Sequence, residues 1–477
     1  MLITAGSAQA GRVAVLVVPK FDPARFEKRG AVGLLVPGSG TTVTRRGALA
    51  SLVRGRVVNA LLGGRPRGRP LIRLAKRPGP LTIYVSLPPP GRHHNTRRYP
   101  IAVVGGGYHG ILVSSTTRID GLVSVIDVAP TALSLERGRD PRLRTRADPH
   151  PARTLVAVDS RLRRAHDARA AATIVLGTAA VGFALLGTLL RLPLLVRAGL
   201  VAAPLALVAA LFLSGLHVYS TLPLALLTAG GALALGATRA TAAALAGVLL
   251  VYLVVLSGWT SVNSLSAIGP HPDGGVRFYG ITNEVETLLL VPLLVPIAAL
   301  GIRALPAIGL LGLAVVALSR TGADGGGAIV FAAGLITLAA RLRPSLMTPR
   351  RTALLALAAI VVVAALVGID AAAGGHSHLT HSLRRGPVGL FHDFTRRAHL
   401  SYLATTSSWH AGLTVLAAAS TIVAAAILLP RFPVGEALLV ALAVSMLVND
   451  TPTDVLGFGA GAYVVVWTWE RLRAQVN

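Results

Sequence analysis

The spacing of apolar residues changes character partway along this chain. Up to about residue 150 they come in short runs of strand length, separated by Gly, Pro and charged residues: "RVAVLVVP" at 12–19, "GAVGLLVP" at 30–37, "PLTIYVSLP" at 80–88 and "YPIAVVGGG" at 99–107. Each run is short, rich in β-branched residues and closed by turn formers, so strands are predicted. The stretches 46–62 and 121–135 carry the wider spacing of helices. Strands interleaved with helices make residues 11–150 an α/β domain.

Beyond residue 169 the runs lengthen and lose their polar face. Stretches able to cross a membrane recur at 170–190, 198–216, 218–236, 240–257, 285–301, 304–319, 325–340, 352–369, 412–429, 434–448 and 455–469. A helical span needs ~20 apolar residues. The runs beginning at 304, 325, 434 and 455 fall short of that, and re-entrant segments are the alternative there. The expected fold class is a small α/β domain followed by an all-α polytopic transmembrane bundle of about 9–11 helices over 170–477, with the basic stretch 151–169 as linker. The opening "MLITAGSAQA" ends in Ala8-Gln9-Ala10, a small-x-small pattern that reads as a signal-peptide remnant at 1–10.

Composition agrees with this division. With 53% hydrophobic residues, 14% charged residues and a mean hydropathy of +0.66, the chain lies outside the range of ordinary soluble proteins. The formal charge is +27, and residues 1–169 hold 29 of the 46 Lys+Arg. The basic residues are almost all Arg, with Lys only at 20, 28 and 76. No nucleic-acid-binding module is visible, and 5% aromatic residues offer few stacking platforms, so nucleic acid is not an expected partner. Membrane lipids, an anionic lipid-linked substrate or an acidic envelope polymer are the expected counter-charges. The absence of Cys excludes disulfides and thiolate metal sites. No cofactor is indicated.

Arginine placement predicts sidedness. One set of connections holds Arg191, Arg197, Arg239, Arg303, Arg341, Arg343, Arg350, Arg351, Arg431, Arg471 and Arg473 with only Glu436 and Glu470 as acids. That set is expected in the cytoplasm with the C-terminus. The opposite set mixes Arg277, Arg320, Arg384, Arg385, Arg396 and Arg397 with most of the acids, and is expected outside with the N-terminal domain. The basic cluster "RLRRAHDAR" at 161–169 runs against this assignment, but charge on an already exported domain weighs less in the rule.

Unusual polar residues collect in the outward connections. Asn283 and Glu284 stand at the lip of a span, Asp324 lies in the glycine-rich "SRTGADGGG", Asp370 precedes His376, His378 and His381, and Asn449 and Asp450 stand with Asp454 between two short apolar runs. Each has an ordinary reading as well: Glu284 and the aspartates as helix-end or turn residues, the histidines as a solvated loop rather than a metal site. Ionisable groups near membrane depth are costly unless they serve a function. Asn283, Glu284, Asp324, Asp370, His376, His378, Asn449 and Asp450 are therefore the candidate lining of one outer-face polar pocket, with no catalytic residue assigned and no metal expected.

Three segments of the front domain carry a resemblance. They are 12–19, "TTVTRRGALASLVRG" at 41–55, and "VVGGGYHGILVSSTTRIDGLVSVIDVAPTAL" at 103–133, which holds His-Gly, Thr-Arg, Gly-Leu-Val and Asp-x-Ala-Pro-Thr. Together they resemble the alkaline-phosphatase superfamily, over about 130 residues. The resemblance implies a first core strand, a nucleophile segment and an Asp-His-Gly strand around two metal ions held by Asp and His. The departures fall on the chemistry: Pro19 stands where a metal-binding Asp belongs, Arg45 at the nucleophile position with Thr44 beside it, and Tyr108 in place of the Asp before His109. A two-metal centre needs several carboxylates, so two-metal phosphatase activity is not expected and His109 reads as the survivor of a lost site. The arrangement as a whole, with Tyr-Gly-x-x-Asn-Glu, Gly-Ala-Asp-Gly-Gly, Ser-His and Asn-Asp motifs, also looks like an uncharacterised group of bacterial membrane proteins.

The leading expectation is an integral membrane envelope protein that binds or processes a phosphate-containing or glycan-lipid substrate at its outer face. A secondary transporter and a noncatalytic binding or scaffold partner are the alternatives.

Overall fold

The computed structural model describes residues 13–57, 68–344 and 386–476, apart from positions 239, 319, 323 and 345–347, with scattered positions between 348 and 365. The expected histidine-bearing segment around Asp370, His376, His378 and His381, and most of the apolar run 352–369, lie outside the described residues. The chain divides into two compact units, the first holding residues up to Asp167 together with Pro270–Tyr279.

The first unit is built on a mixed sheet in the order β1 (Val13–Val18), β4 (Leu81–Ser86), β6 (Tyr99–Val104), β2 (Gly30–Val36), β7 (Gly110–Ser114), β9 (Leu143–Arg146), with β8 (Leu122–Ser124) also pairing β2. β1 and β4 run parallel, β6 runs against both β4 and β2, and β7 and β8 run parallel to β2. A separate two-stranded ribbon joins β3 (Thr42–Thr44) to β5 (Arg92–His94). All seven positions of β2 are buried, as an apolar strand covered on both faces should be. Helices α1 (Arg45–Arg54) and α2 (Val128–Glu136) close the core through Leu52, Val128 and Ala132 against Val15, Leu35, Ile83 and Val123. The four quoted apolar runs therefore contain β1, β2, β4 and β6. Two helix expectations are corrected. In the stretch 46–62, α1 ends at Arg54, because Gly55 terminates it in the left-handed conformation, and residues 58–62 lie outside the described residues. Helix at 121–135 starts late, because residues 122–124 pair with β2 as a strand before a short turn leads into α2.

The stretch 151–169 is the opening part of α3 (Pro151–Leu189), which continues without a break into the first apolar run. Its early turns belong to the first unit: Leu155, Leu162 and Ala165 are buried, and Asp159 pairs at 2.6 Å with Arg98, whose side chain is only 2% exposed. A second insertion comes from far along the chain. Asn95 Nδ2 donates to the carbonyls of Gly38 (3.0 Å), Gly40 (3.1 Å) and Gly274 (2.8 Å), His166 Nδ1 lies 2.7 Å from Asp273 Oδ2, and Arg118 stacks 3.7 Å over the Tyr279 ring. The loop 270–279 is thus part of the α/β unit, although helices of the other unit precede and follow it.

The second unit is helical: α4 (Pro193–Gly215), α5 (Thr221–Gly236), α6 (Thr241–Gly258), α7 (Thr260–Ser264), α8 (Asn283–Leu300), α9 (Leu305–Ala317), α10 (Gly325–Leu342), α11 (Gly386–Thr406), α12 (Trp409–Leu428), α13 (Pro433–Val448) and α14 (Pro452–Val476). Among the described residues, α3, α4, α6, α8, α10 and α12 are long and apolar enough to cross a membrane, and three further apolar helices are shorter. The chain is a multi-pass membrane protein. Its helices divide by environment. α8 is buried from Glu284 to Ala298, whereas α12 exposes Leu416, Ile427 and Leu428 as a lipid-contacting surface would.

Candidate functional site

Three helix ends of the second unit meet around one carboxylate. α8 begins after Thr282, whose hydroxyl accepts from Val285 N, and carries Glu284 and Glu286 in its first turn, where acids complement the helix dipole. α10 begins at Asp324, whose Oδ1 accepts from Gly326 N and Gly327 N, both at 3.1 Å. This is N-capping of helix donors that would otherwise lack partners. α13 ends at Asn449. The helices bearing these ends pack pairwise against one another.

Glu286 sits where they meet and is completely buried. Asn449 Nδ2 donates to Glu286 Oε1 at 3.3 Å and Oε2 at 3.2 Å, and also to Ser445 Oγ at 2.7 Å. The Ser445 hydroxyl in turn donates to Glu286 Oε1 at 3.5 Å. On the other side the start of α10 presses backbone against the carboxylate, since a Cβ at Gly327 would lie 3.1 Å from Glu286 Oε2. A Cβ at Gly326 would lie 3.0 Å from Asn449 Oδ1 and 3.5 Å from Arg397 Nη1. Arg397, on α11, donates to the Val448 carbonyl, and Ser401 Oγ donates to the Asn449 carbonyl at 3.3 Å. Asn283 adds a tie at the rim, its Nδ2 donating to Thr451 Oγ1 at 2.7 Å.

Several of the residues chosen from sequence gather here and others do not. Asp324 and Asn449 belong to the cluster, and Asn283 borders it. Glu284 is buried and makes none of the cluster's bonds described above. Asp450 is exposed and makes none of the cluster's bonds described above. Asp370, His376 and His378 lie outside the described residues. Sequence reasoning missed Glu286 itself, together with Ser445. Two acids two residues apart on a helix point in different directions, and nothing in "TNEVE" says which faces inward. The signal that was present is the spacing of Ser445 and Asn449, four apart on one helix face. Among the described residues no group of three or more His, Asp and Glu is arranged to hold a metal.

The positions that the resemblance marks in the first unit are not brought together into one site. Pro19 follows the carboxyl end of β1, and Arg45 Nη1 donates to the Pro88 carbonyl just beyond the carboxyl end of β4. Thr44 caps α1, its hydroxyl accepting from Gly47 N at 3.0 Å. Because β6 is antiparallel, its end at Val104 lies beside Thr82 at the opposite edge, and Tyr108 and His109 follow there. A six-residue strand separates the two edges by about 20 Å. His109 is exposed, while Tyr108 is buried and donates to the Leu143 carbonyl at 2.8 Å, with burial pushing its phenol upward.

The Asp-x-Ala-Pro-Thr segment has a structural task instead. Asp127 is fully buried; its Oδ2 accepts from Ser114 Oγ (2.9 Å) and Ser124 N (3.1 Å), and its Oδ1 from Thr116 Oγ1 (2.6 Å). It binds the end of β7, the turn after it and the start of α2 together. Burial raises its carboxyl above the ordinary value, against the lowering effect of those donors. Comparison with protein-family models, curated proteins and solved structures finds no match to this chain.

Proposed function

We propose that this chain is an envelope membrane protein that binds a glycan-bearing or phosphate-containing lipid at the end of the helical unit formed by the starts of α8 and α10. That end and the α/β unit face outward in this reading, and the C-terminus faces the cytoplasm. The observation that carries it is the complete burial of Glu286 among Asn449, Ser445 and the glycine-lined first turn of α10. A buried acid in a membrane-spanning unit is costly and is retained where it serves a ligand or a proton. Carboxylate, amide and hydroxyl groups set close together match sugar hydroxyls, while Arg397 supplies the cation a phosphate would need. The phosphatase-like unit serves as a noncatalytic binding domain, with its Pro19, Thr44 and Arg45 edge distant from Tyr108 and His109.

The test is binding of a sugar-bearing polyprenyl phosphate to the full chain in detergent, against the same lipid without sugar. Wild type should prefer the sugar-bearing form, and Glu286→Gln and Asn449→Ala should bind at least tenfold more weakly while remaining monodisperse. Unchanged binding in both variants would end this reading. Orientation is tested separately in this cysteine-free background. Cysteines at Ser115 and Thr451 should react with an impermeant thiol reagent in intact cells, and one at Gln475 should not.

A secondary transporter is the second reading, favoured by α8, which is buried from Glu284 to Ala298 and is interrupted by Pro292 and Pro296. Uptake that collapses with the ion gradient would choose it over binding alone.

A further inference from the structure

At the other end of the helical unit a cavity of about 350 Å³ opens between the start of α6, the end of α8 and the end of α14. Its walls include two guanidinium groups, Arg197 from α4 and Arg473 from α14, two hydroxyls, Thr238 and Thr241, the Trp469 ring, and apolar surface from Val295. Its composition is unlike that of the Glu286 cluster, since no acidic side chain lines it.

The cavity carries unspent binding capacity. The Thr241 hydroxyl is buried and has no hydrogen-bond partner among the described residues. Arg197 is half-buried and has no carboxylate within ion-pair distance among the described residues. Arg473 uses one N–H on the Ala298 carbonyl at 2.9 Å and stacks 5.6 Å from the centre of the Trp469 ring, which orients its guanidinium. Thr238 is already engaged with the Leu235 carbonyl at 2.8 Å and is a wall, not a donor to spare. The Thr241 hydroxyl and the Arg197 guanidinium are thus the donors that this wall leaves for a ligand.

We infer that this cavity is a binding site for a phosphate group, carried by an anionic lipid whose chain lies along the apolar wall. Two guanidiniums provide fork-shaped donors matched to phosphate oxygens, Thr241 supplies a third donor, and Val295 and the Trp469 face continue the site into hydrocarbon. Basic pockets between helices at one membrane face are suited to anionic head groups. The lipid is favoured over a soluble phosphate because only a lipid would also cover the apolar wall. The site is independent of Glu286 and does not rest on the function proposed for that cluster.

The experiment is native mass spectrometry of the full chain in detergent, titrated with short-chain phosphatidylglycerol, phosphatidylcholine and inorganic phosphate in separate arms. Phosphatidylglycerol should bind at least tenfold more tightly than phosphatidylcholine, and the preference should shrink as salt rises. Arg197→Ala with Arg473→Ala should abolish the preference, and Thr241→Val should weaken it two- to tenfold. Should the double alanine variant fail to fold, Arg197→Lys with Arg473→Lys retains charge and should keep part of it. Displacement of phosphatidylglycerol by millimolar inorganic phosphate would support the phosphate site and move its ligand to a soluble ester. Equal binding of the two lipids by wild type, or an undiminished preference in the well-folded double variant, would overturn the assignment.

Discussion

Among the described residues, Asp127 in the α/β unit and Glu286 in the helical unit are both completely buried, and the hydrogen bonds to them reach over very different lengths of chain. Asp127 in the α/β unit is held by Ser114, Thr116 and Ser124, all within thirteen positions along the chain. Glu286 in the helical unit is held by Ser445 and Asn449, from 159 and 163 positions away. Local partners form with the segment itself, so Asp127 acts as a knot in one loop. Partners on a distant helix exist only after the bundle has packed, so these Glu286 contacts report on assembly. A buried charge with short-range partners reads as architecture, and one with long-range partners is the better candidate for function.

The sharpest way to break this comparison is Asp127→Ala, which strips one acceptor from three donors. It should cost the first unit about 3–5 kcal/mol, read as loss of amide-exchange protection in β7, β8 and α2. A loss below about 1 kcal/mol would remove the architectural role. Next in size is Gly327→Ala, whose new methyl meets Glu286 Oε2 at 3.1 Å. Overpacking of that kind should cost about 1–3 kcal/mol in the melting of the helical unit, and replacing Glu286 by Gln in the same chain should not relieve it, because the steric contact remains.

Glu286→Gln alone should change stability by only about 1 kcal/mol, since the amide keeps most of the hydrogen bonds, while ligand binding falls at least tenfold. Comparable losses in stability and binding would make Glu286 a second architectural acid. The smallest effect is in pH dependence. The Asp127 carboxyl titrates higher in the folded chain than its ordinary value of 3.8, so the folded state holds the proton more tightly. Its contribution to the stability of the first unit is therefore greatest below pH 3.8 and declines as pH rises through the raised folded value. Protection of β8 measured against pH should show this decline in wild type and lose it in Asp127→Asn.

Alternation and run length made the α/β class, four of the strands and the six long apolar helices legible, because burial on one or both faces writes itself into nearby residues. The parts that were not legible are those set by distant contacts. β9, "LRTR", is mostly polar and becomes a strand by pairing with β7. Residues 151–169 look like a charged linker, yet three residues of that stretch, Leu155, Leu162 and Ala165, are enough to anchor a helix. In the candidate site, Asp324 was visible because a turn acid before glycines is a local pattern. Glu286 was not, since its meaning resides in the far end of α13. The resemblance of 103–133 to a hydrolase motif finds no support among known proteins, and the antiparallel run of β6 against β4 puts His109 at the opposite edge of the sheet from Pro19.

The membership of residues 270–279 in the first unit also sets a schedule for biosynthesis. When the α/β unit leaves the ribosome, the place that Gly274 takes beside Asn95, Gly38 and Gly40 is still empty, and roughly 100 residues must be made before the loop arrives. At ~5–20 residues per second that interval is about 5–20 s. During that time the newborn domain is a lock waiting for its own key, and membrane insertion of α4 to α6 must deliver it.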